Sequence, residues 1–199
     1  MTKTRNPWIS FADLLSSVVL ILLILYVLAT VVPKLSQISE ERDLMSEIKS
    51  GLKQYEASGQ VKVHMETGTL EFTSMTFDTA SAELSSETGE LIHDLASRLI
   101  GYMSKHPEME VLIEGHTDPR PIKAVINRGG HFSNNVQLST LRAATVRAAL
   151  LHVMGMQYAS RIGVAGYGET RLKDKKDPFS AANRRVEIRL LWNGLNNNE

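Results

Sequence analysis

An acid and a base in the second half of the chain could hold a small zwitterion. Asp118 ends the stretch Gly115-His116-Thr117-Asp118, and Arg142 lies in a later amphipathic segment. A carboxylate and a guanidinium at such loop and helix ends can hold an ammonium and a carboxylate of one ligand at once. A structural alternative is that Asp118 caps a turn while Arg142 pairs with a nearby acid. Because structural ion pairs are common, the residues alone favour that alternative.

Another acid, Asp13, lies inside an apolar stretch. Residues 14–32 carry no charged side chain, and Ile9 and Phe11 precede the acid. A helix counted from Trp8 places Asp13 about one and a half turns in. Asp13 is then either a first-turn carboxylate that faces the helix dipole and water, or an intramembrane carboxylate on an ion path. Since one helix cannot enclose a channel, the ion path requires other transmembrane helices.

The apolar run predicts a membrane anchor. Its 19 residues span about 28 Å as a helix, close to the hydrocarbon thickness of a bilayer. The apolar core of a signal peptide is shorter, about 7–15 residues. Lys3 and Arg5 precede the run, and positive charge favours the cytoplasmic side. We therefore expect a cytoplasmic tail at 1–7, a transmembrane helix at 8–32, and the remaining chain outside.

Composition excludes several classes of function. The formal net charge is zero, which removes the electrostatic case for a nucleic-acid partner. The chain has no cysteine, so it has no disulfide scaffold, iron–sulfur cluster or cysteine-ligated zinc. Ser139 has no evident base, and His116 with Asp118 alone does not make a metal site. The sequence predicts neither an enzyme nor a cofactor.

A helical tether at 33–60 is expected to connect the membrane run to a domain. One apolar seam recurs along it at spacings of three, four or seven, formed by Leu35, Ile38, Met45, Ile48, Leu52 and Tyr55. The seam could pair with a second copy, or lie against the membrane or the domain.

Residues 61–192 have the pattern of a mixed α and β domain. Strands are predicted at Val61–Met65, Thr69–Phe72, Met109–Glu114, Ile162–Ala165 and Val186–Leu191, and helices from Ser85 or Ser86 to about Lys105 and at Leu138–Met154. This order indicates an α+β fold, a two-layer sandwich in which a mixed sheet carries its helices on one face. The tail at 193–199 is predicted to be disordered.

Four motifs in order give this domain a resemblance to OmpA-like peptidoglycan-binding domains. They are GHTD, N-x-x-LS-x-x-RA, GYGE and NRRVEI, and the resemblance covers about residues 61–191. It implies that Asp118 takes the ammonium, and Arg142 the carboxylate, of diaminopimelate in the cell-wall stem peptide. Thr117, Asn135 and Arg185 match positions that line or brace that site. A loop of 19 residues between GHTD and LS departs from the family pattern, and it either recognises something further or shields the site.

The N-terminal stretch, residues 8–15, resembles the W-x-x-x-A-D segment of MotB-type stator subunits. This resemblance implies that Asp13 carries a proton or a sodium ion, of which we expect a proton, and that a homodimer sits inside five copies of a polytopic MotA- or ZorA-like subunit. The protein would then be a single-pass inner-membrane protein with a periplasmic domain. Its short tail and short linker are more similar to ZorB of Zorya anti-phage systems than to flagellar MotB. A flagellar MotB-like stator and a passive membrane-to-wall anchor are the alternatives.

Overall fold

The chain forms two units, Met1–Asp43 and Leu44–Glu199. The computed structural model describes residues 7–73, 84–122, 125–127, 130–132 and 134–192. The predicted tail at 193–199 and nearly all of the predicted tail at 1–7 lie outside the described residues.

The first helix, α1, extends from Pro7 to Gly51 and continues through Pro33. The boundary predicted at Pro33 is therefore a change of composition and not the end of a helix. A proline inside a helix removes one backbone hydrogen bond, a loss that flanking helical turns can tolerate. Between Phe11 and Val32 the side chains are exposed on every face of the helix. By length and composition α1 is suited to cross a membrane, and it is the one such helix among the described residues.

The tether seam is divided between the two units. From Leu44 onward its apolar residues belong to the core of the second unit, where Ile48 and Leu52 are fully buried. Leu35 and Ile38 belong to the first unit and are exposed. Of the three placements open from the sequence, the second half of the seam therefore lies against the domain.

Polar contacts hold this end of the tether on the domain. A short helix, α2, follows at Lys53–Ala57, and its Tyr55 hydroxyl donates to Asp94 over 3.1 Å. Glu47 forms an ion pair with Arg98, with 3.7 Å between Oε1 and Nη1. Burial raises the pKa of Tyr55, with Asp94 adding to the rise, which keeps this hydroxyl a hydrogen-bond donor.

A five-stranded sheet forms one layer of the second unit. Its strands are β1 (Val61–His64), β2 (Thr69–Phe72), β3 (Met109–His116), β6 (Ile162–Gly166) and β7 (Arg185–Trp192). Their order is β1-β2-β7-β3-β6, and all neighbours are antiparallel except the parallel pair β3 and β6. These five strands confirm the strands predicted from hydrophobic alternation.

Two long helices complete the core. Helix α3 covers Ser86–Lys105, and the Ser85 side chain caps it by accepting from the Thr88 amide. Helix α4 covers Asn135–Met154, three residues longer at its start than predicted. The Asn134 side chain supplies its N-cap, which explains the earlier start. The α+β prediction with a mixed sheet is confirmed.

The loop between GHTD and LS contains secondary structure that the sequence analysis missed. Strands β4 (Val125–Asn127) and β5 (Gly130–Phe132) form a separate antiparallel pair. Such short strands leave little periodic signal in the sequence.

Two glycines let the first turn of α4 lie directly on the sheet. A Cβ on Gly115 of β3 would collide with the Ser139 carbonyl, and a Cβ on Gly166 of β6 would collide with Thr140. Any side chain at these positions would push α4 away from the ends of β3 and β6. The glycines therefore determine the distance between the layers where GHTD, LS and GYGE meet.

Replacing Gly115 by alanine should lower the free energy of unfolding by about 1–3 kcal/mol, because the new methyl group meets backbone that cannot rotate away. Thermal unfolding of the full chain in detergent, followed by near-UV circular dichroism, measures this. Gly101→Ala is the matched control: Gly101 is exposed in α3 with open space around it, so its stability should be unchanged or slightly higher. Equal stability of the two variants would contradict the packing described here.

Candidate functional site

The candidate site lies where β3 ends and α4 begins, and three motifs are tied together there. The Thr117 amide donates to the Gly168 carbonyl over 2.9 Å, and the Gly168 amide donates to the Ser139 hydroxyl over 2.9 Å. Gly168 has a φ of 54°, a conformation that favours glycine. GHTD, LS and GYGE are thus brought together by backbone contacts, as expected for elements that position a site.

Asp118 is buried, with 4% of its surface exposed, and both of its carboxylate oxygens are engaged. Oδ1 accepts from the Arg120 amide over 3.1 Å. Oδ2 accepts from Nη1 of Arg184 over 2.7 Å, and Nη1 of Arg120 lies 3.5 Å away from it. The turn-capping role considered from the sequence is therefore present, and it coexists with two arginine contacts.

Arg142 is equally enclosed, with 9% of its surface exposed. Burial lowers its pKa, the positive charge of Arg184 lowers it further, and the negative charge of Asp118 opposes both. Arg142 thus lies within electrostatic reach of Asp118 and of Arg184. Arg120 and Arg184 form ion pairs with the Asp118 carboxylate.

The other three predicted residues occupy different positions around this centre. Asn135 donates from Nδ2 to the backbone carbonyls of Asp118 and Arg120, both over 3.3 Å, and so braces the loop. The hydroxyl of Thr117 is buried without a hydrogen-bond partner among the described residues. Arg185 donates to Glu187 over 2.6 Å. Its neighbour Arg184, and not Arg185, contacts Asp118.

Sequence reasoning missed Arg184, although it stands beside Arg185 in the same motif. Arg184 is the last residue before β7, so the point at which that strand begins decides which arginine faces Asp118. Arg120 was noted only as part of the long loop. Positive charge was the one sequence feature that pointed to Arg120 and Arg184 as partners of Asp118. Spacing along the chain does not show that they contact it.

Behind the site, three glutamates form a row across the middle of the sheet. Glu71 is paired with Glu187 and Glu187 with Glu114 in the strand register. Burial alone would raise the pKa of Glu71, but hydrogen bonds from Lys173 and His64 lower it. Arginines neutralise the other two glutamates, so the row consists of compensated charges.

His116 is the least satisfied polar side chain of this network. It is 2% exposed and stacks on Tyr167 with ring centroids 5.5 Å apart. Neither ring nitrogen has a hydrogen-bond partner within the part of the chain that is described. Burial and, to a smaller extent, the positive charge of Arg185 lower its pKa to about 4, so the imidazole is neutral at pH 7.

His116, Glu114 and Glu187 could offer ligand atoms to a metal, since these atoms lie within 4.8 Å of one another. Both carboxylates already accept from arginines: Glu114 from Arg189 over 3.2 Å and Glu187 from Arg185 over 2.6 Å. A divalent cation there would be repelled by two adjacent guanidinium groups. The arrangement suits a structural charge network better than a metal centre.

Comparison with known families identifies the domain. The model of the OmpA family matches residues 76–185, over half of the chain. The chain belongs to the OmpA family. The membership rests on the segment that contains GHTD, the LS helix and GYGE.

Relatives extend the likeness beyond the domain. Motility protein B of Bacillus subtilis (strain 168) is 27% identical over 160 residues, which cover 78% of this chain and 58% of that protein. The chain thus matches less than two thirds of that relative's length. The structure of the cell wall anchor of the T6SS from Pseudomonas aeruginosa is 26% identical, with a TM-score of 0.58, and the match covers 73% of this chain and 96% of that one.

A MotB-like protein from Desulfovibrio vulgaris shares the fold, at 24% identity and a TM-score of 0.57, over 77% of this chain and 94% of that one. These likenesses confirm the predicted MotB and OmpA resemblance. The chain is thus similar in sequence to a motility protein and to a cell wall anchor.

Stability should fall as the pH is lowered from about 6.5 to about 4, in part through His116. The unfolded chain binds a proton at His116 near pH 6.5, whereas the folded chain resists it until about pH 4, so protonation favours unfolding. This group contributes roughly 3 kcal/mol at most. Urea unfolding of the full chain at several pH values measures this. As the pH falls, the free energy of unfolding should decrease less steeply for His116→Gln than for the unmutated chain. His152→Gln, at an exposed site on α4, should keep the original slope. If the free energy of unfolding changes with pH equally in all three proteins, His116 makes no contribution to the pH dependence.

Proposed function

We propose that this chain is the peptidoglycan-anchored membrane subunit of an ion-driven stator. The observation that carries the proposal is the buried pair of Asp118 and Arg142 at the junction of β3 and α4, within a domain of the OmpA family. A second feature is an apolar helix with Asp13 near its start, which supports a membrane location and an ion-carrying residue. The match to motility protein B spans 78% of the chain.

The wall ligand is the diaminopimelate of the stem peptide. Its free end carries an ammonium and a carboxylate on one carbon, so a recognition site must present one acid and one base close together. Asp118 receives the ammonium and Arg142 the carboxylate. Burial strengthens both contacts, because water competes less for the charges in an enclosed site. Thr117, with its buried hydroxyl, can add a hydrogen bond to the ligand, while Asn135 holds the loop in place.

Asp13 is the ion-carrying group, and a proton is the proposed ion. Two copies of the chain form a homodimer within five copies of a polytopic MotA- or ZorA-like subunit. Protonation neutralises the carboxylate and eases its passage through an apolar environment, and release restores the charge. The change alters the contacts of the dimer with the ring and biases a step of rotation. The wall contact of Asp118 and Arg142 holds the dimer against the torque.

The proposed location is the bacterial inner membrane, crossed once. The N-terminus is cytoplasmic, and the OmpA-family domain is periplasmic, where peptidoglycan lies. A short interval, residues 33–60, separates the apolar run from the domain. That interval favours a Zorya-type anti-phage system over a flagellar motor, whose MotB subunits resemble this chain but carry a longer linker.

A passive membrane-to-wall anchor is the second candidate. The likeness to the cell wall anchor of the T6SS, at 26% identity over 73% of this chain, favours it. The two candidates share the wall site and differ in Asp13, which a passive anchor does not need.

Asp118→Asn and Arg142→Gln should each reduce binding of the full chain to purified peptidoglycan sacculi by at least about tenfold, because each removes one charge-assisted contact in a buried site. Co-sedimentation in detergent measures the binding. Asp43→Asn, at an exposed position of α1, should bind like the unmutated chain. If both site variants bind sacculi as well as the unmutated chain does, this site is not the one that binds peptidoglycan.

Asp13→Asn should abolish the biological activity of the system while leaving expression and sacculus binding unchanged, because asparagine cannot exchange a proton. Asp13→Glu is the matched variant that keeps the carboxyl group and should retain part of the activity. Plaque assays or swimming assays in the native host, together with sacculus binding, test this. Full activity of Asp13→Asn would favour the passive anchor.

A further inference from the structure

The candidate site gathers guanidinium groups near Asp118. Arg120 and Arg184 both form ion pairs with its carboxylate, and the positive charge of Arg184 also acts on Arg142. The zwitterionic end of diaminopimelate has no net charge. An additional anion would interact favourably with guanidinium groups held close together in a partly buried site.

The place that an ammonium would take is already filled by a cation. Nη1 of Arg184 lies 2.7 Å from Oδ2 of Asp118, closer than Nη1 of Arg120 at 3.5 Å. Oδ1 accepts from the Arg120 amide. An incoming ammonium can therefore contact Asp118 fully only if the Arg184 guanidinium moves away from Oδ2.

Arg184 can move, and it needs an anion when it does. Its side chain is 31% exposed, so it has a path to the surface of the site, whereas that of Asp118 is 6% exposed. Its charge already acts on Arg142, whose pKa it lowers. A guanidinium released beside another guanidinium is stabilised by a carboxylate that accepts from its two parallel N–H groups.

Arg120 is less suited to this role. It is 59% exposed, donates to the Phe179 carbonyl over 3.3 Å and lies 5.7 Å from the Phe179 ring centroid. These contacts give Arg120 a position of its own at the rim. Of these two arginines, Arg184 lies closer to the Asp118 carboxylate.

We infer that Arg184 is a specificity residue that holds the ammonium position in the free protein and transfers, on binding, to a second carboxylate of the ligand. This inference rests on the proposed wall function. It assigns to the site a preference for stem peptides whose carboxyl groups are free acids over those in which one is a carboxamide. The second carboxylate belongs either to the D-glutamate α position or to the peptide-chain carboxyl of diaminopimelate.

Isothermal titration of the full chain in detergent tests this with three synthetic peptides. The first is L-Ala-γ-D-Glu-meso-diaminopimelate with all carboxyl groups free. The second has a carboxamide at the glutamate α position, and the third has one at the C-terminal carboxyl of diaminopimelate. Each is titrated into the unmutated chain, Arg184→Gln, Arg184→Lys and the control Arg171→Gln. Arg171 is exposed, and its guanidinium lies 3.6 Å from the centroid of the Tyr167 ring.

The unmutated chain and Arg171→Gln should bind the free acid about tenfold or more tightly than one of the two amides, and that amide identifies the carboxylate. Arg184→Gln should still bind, with nearly equal affinities for the free acid and for that amide. Arg184→Lys, which keeps the charge without the planar fork, should retain part of the ratio. It also keeps the test valid if Arg184→Gln does not fold.

Equal binding of all three peptides by the unmutated chain would overturn the inference while leaving the wall function intact. A ratio that persists in Arg184→Gln would assign the preference to other residues and overturn it as well. Failure of every peptide to bind the unmutated chain would instead overturn the proposed wall function, and the inference with it.

Discussion

The close approach of α4 to the ends of β3 and β6 is the constraint on which the site depends. Gly115 and Gly166 permit it, because a side chain at either position would meet backbone or hydroxyl atoms of the first turn of α4. The Ser139 hydroxyl then binds the Gly168 amide, and the GYGE loop is fixed against GHTD. This packing of α4 on the sheet keeps Arg142 within electrostatic reach of Asp118. The motif glycines therefore shape the candidate site, although they supply no functional group.

Charge compensation is the second principle of the domain. Glu71 and Glu114 are buried and Glu187 is half-buried on the sheet, and each has a basic partner within hydrogen-bond distance. Such pairs add little net stability, but an unpaired member would be strongly destabilising. In the Asp118 cluster, Arg120 and Arg184 both form ion pairs with the same acid.

The two ends of the chain suit two different solvents. The first unit exposes apolar side chains around a whole helix, which is stable in lipid and not in water. The second buries its apolar residues, including the end of the tether from Leu44 onward. Both proposed roles, the stator and the passive anchor, use these two kinds of surface, and they differ in whether Asp13 is needed.

The sequence by itself determined the strand and helix pattern and the apolar run, which follow from local periodicity. Asp118 and Arg142 were singled out by the resemblance of their motifs to a known family, since the residues alone favoured a structural role for them. The tertiary structure decided that α1 continues through Pro33, that the long loop contains β4 and β5, and that part of the tether joins the core. It also decided that Arg184 and not Arg185 contacts Asp118. Partner choice among adjacent residues depends on where a strand begins and on what packs opposite it, and these are long-range properties that spacing along a chain does not contain.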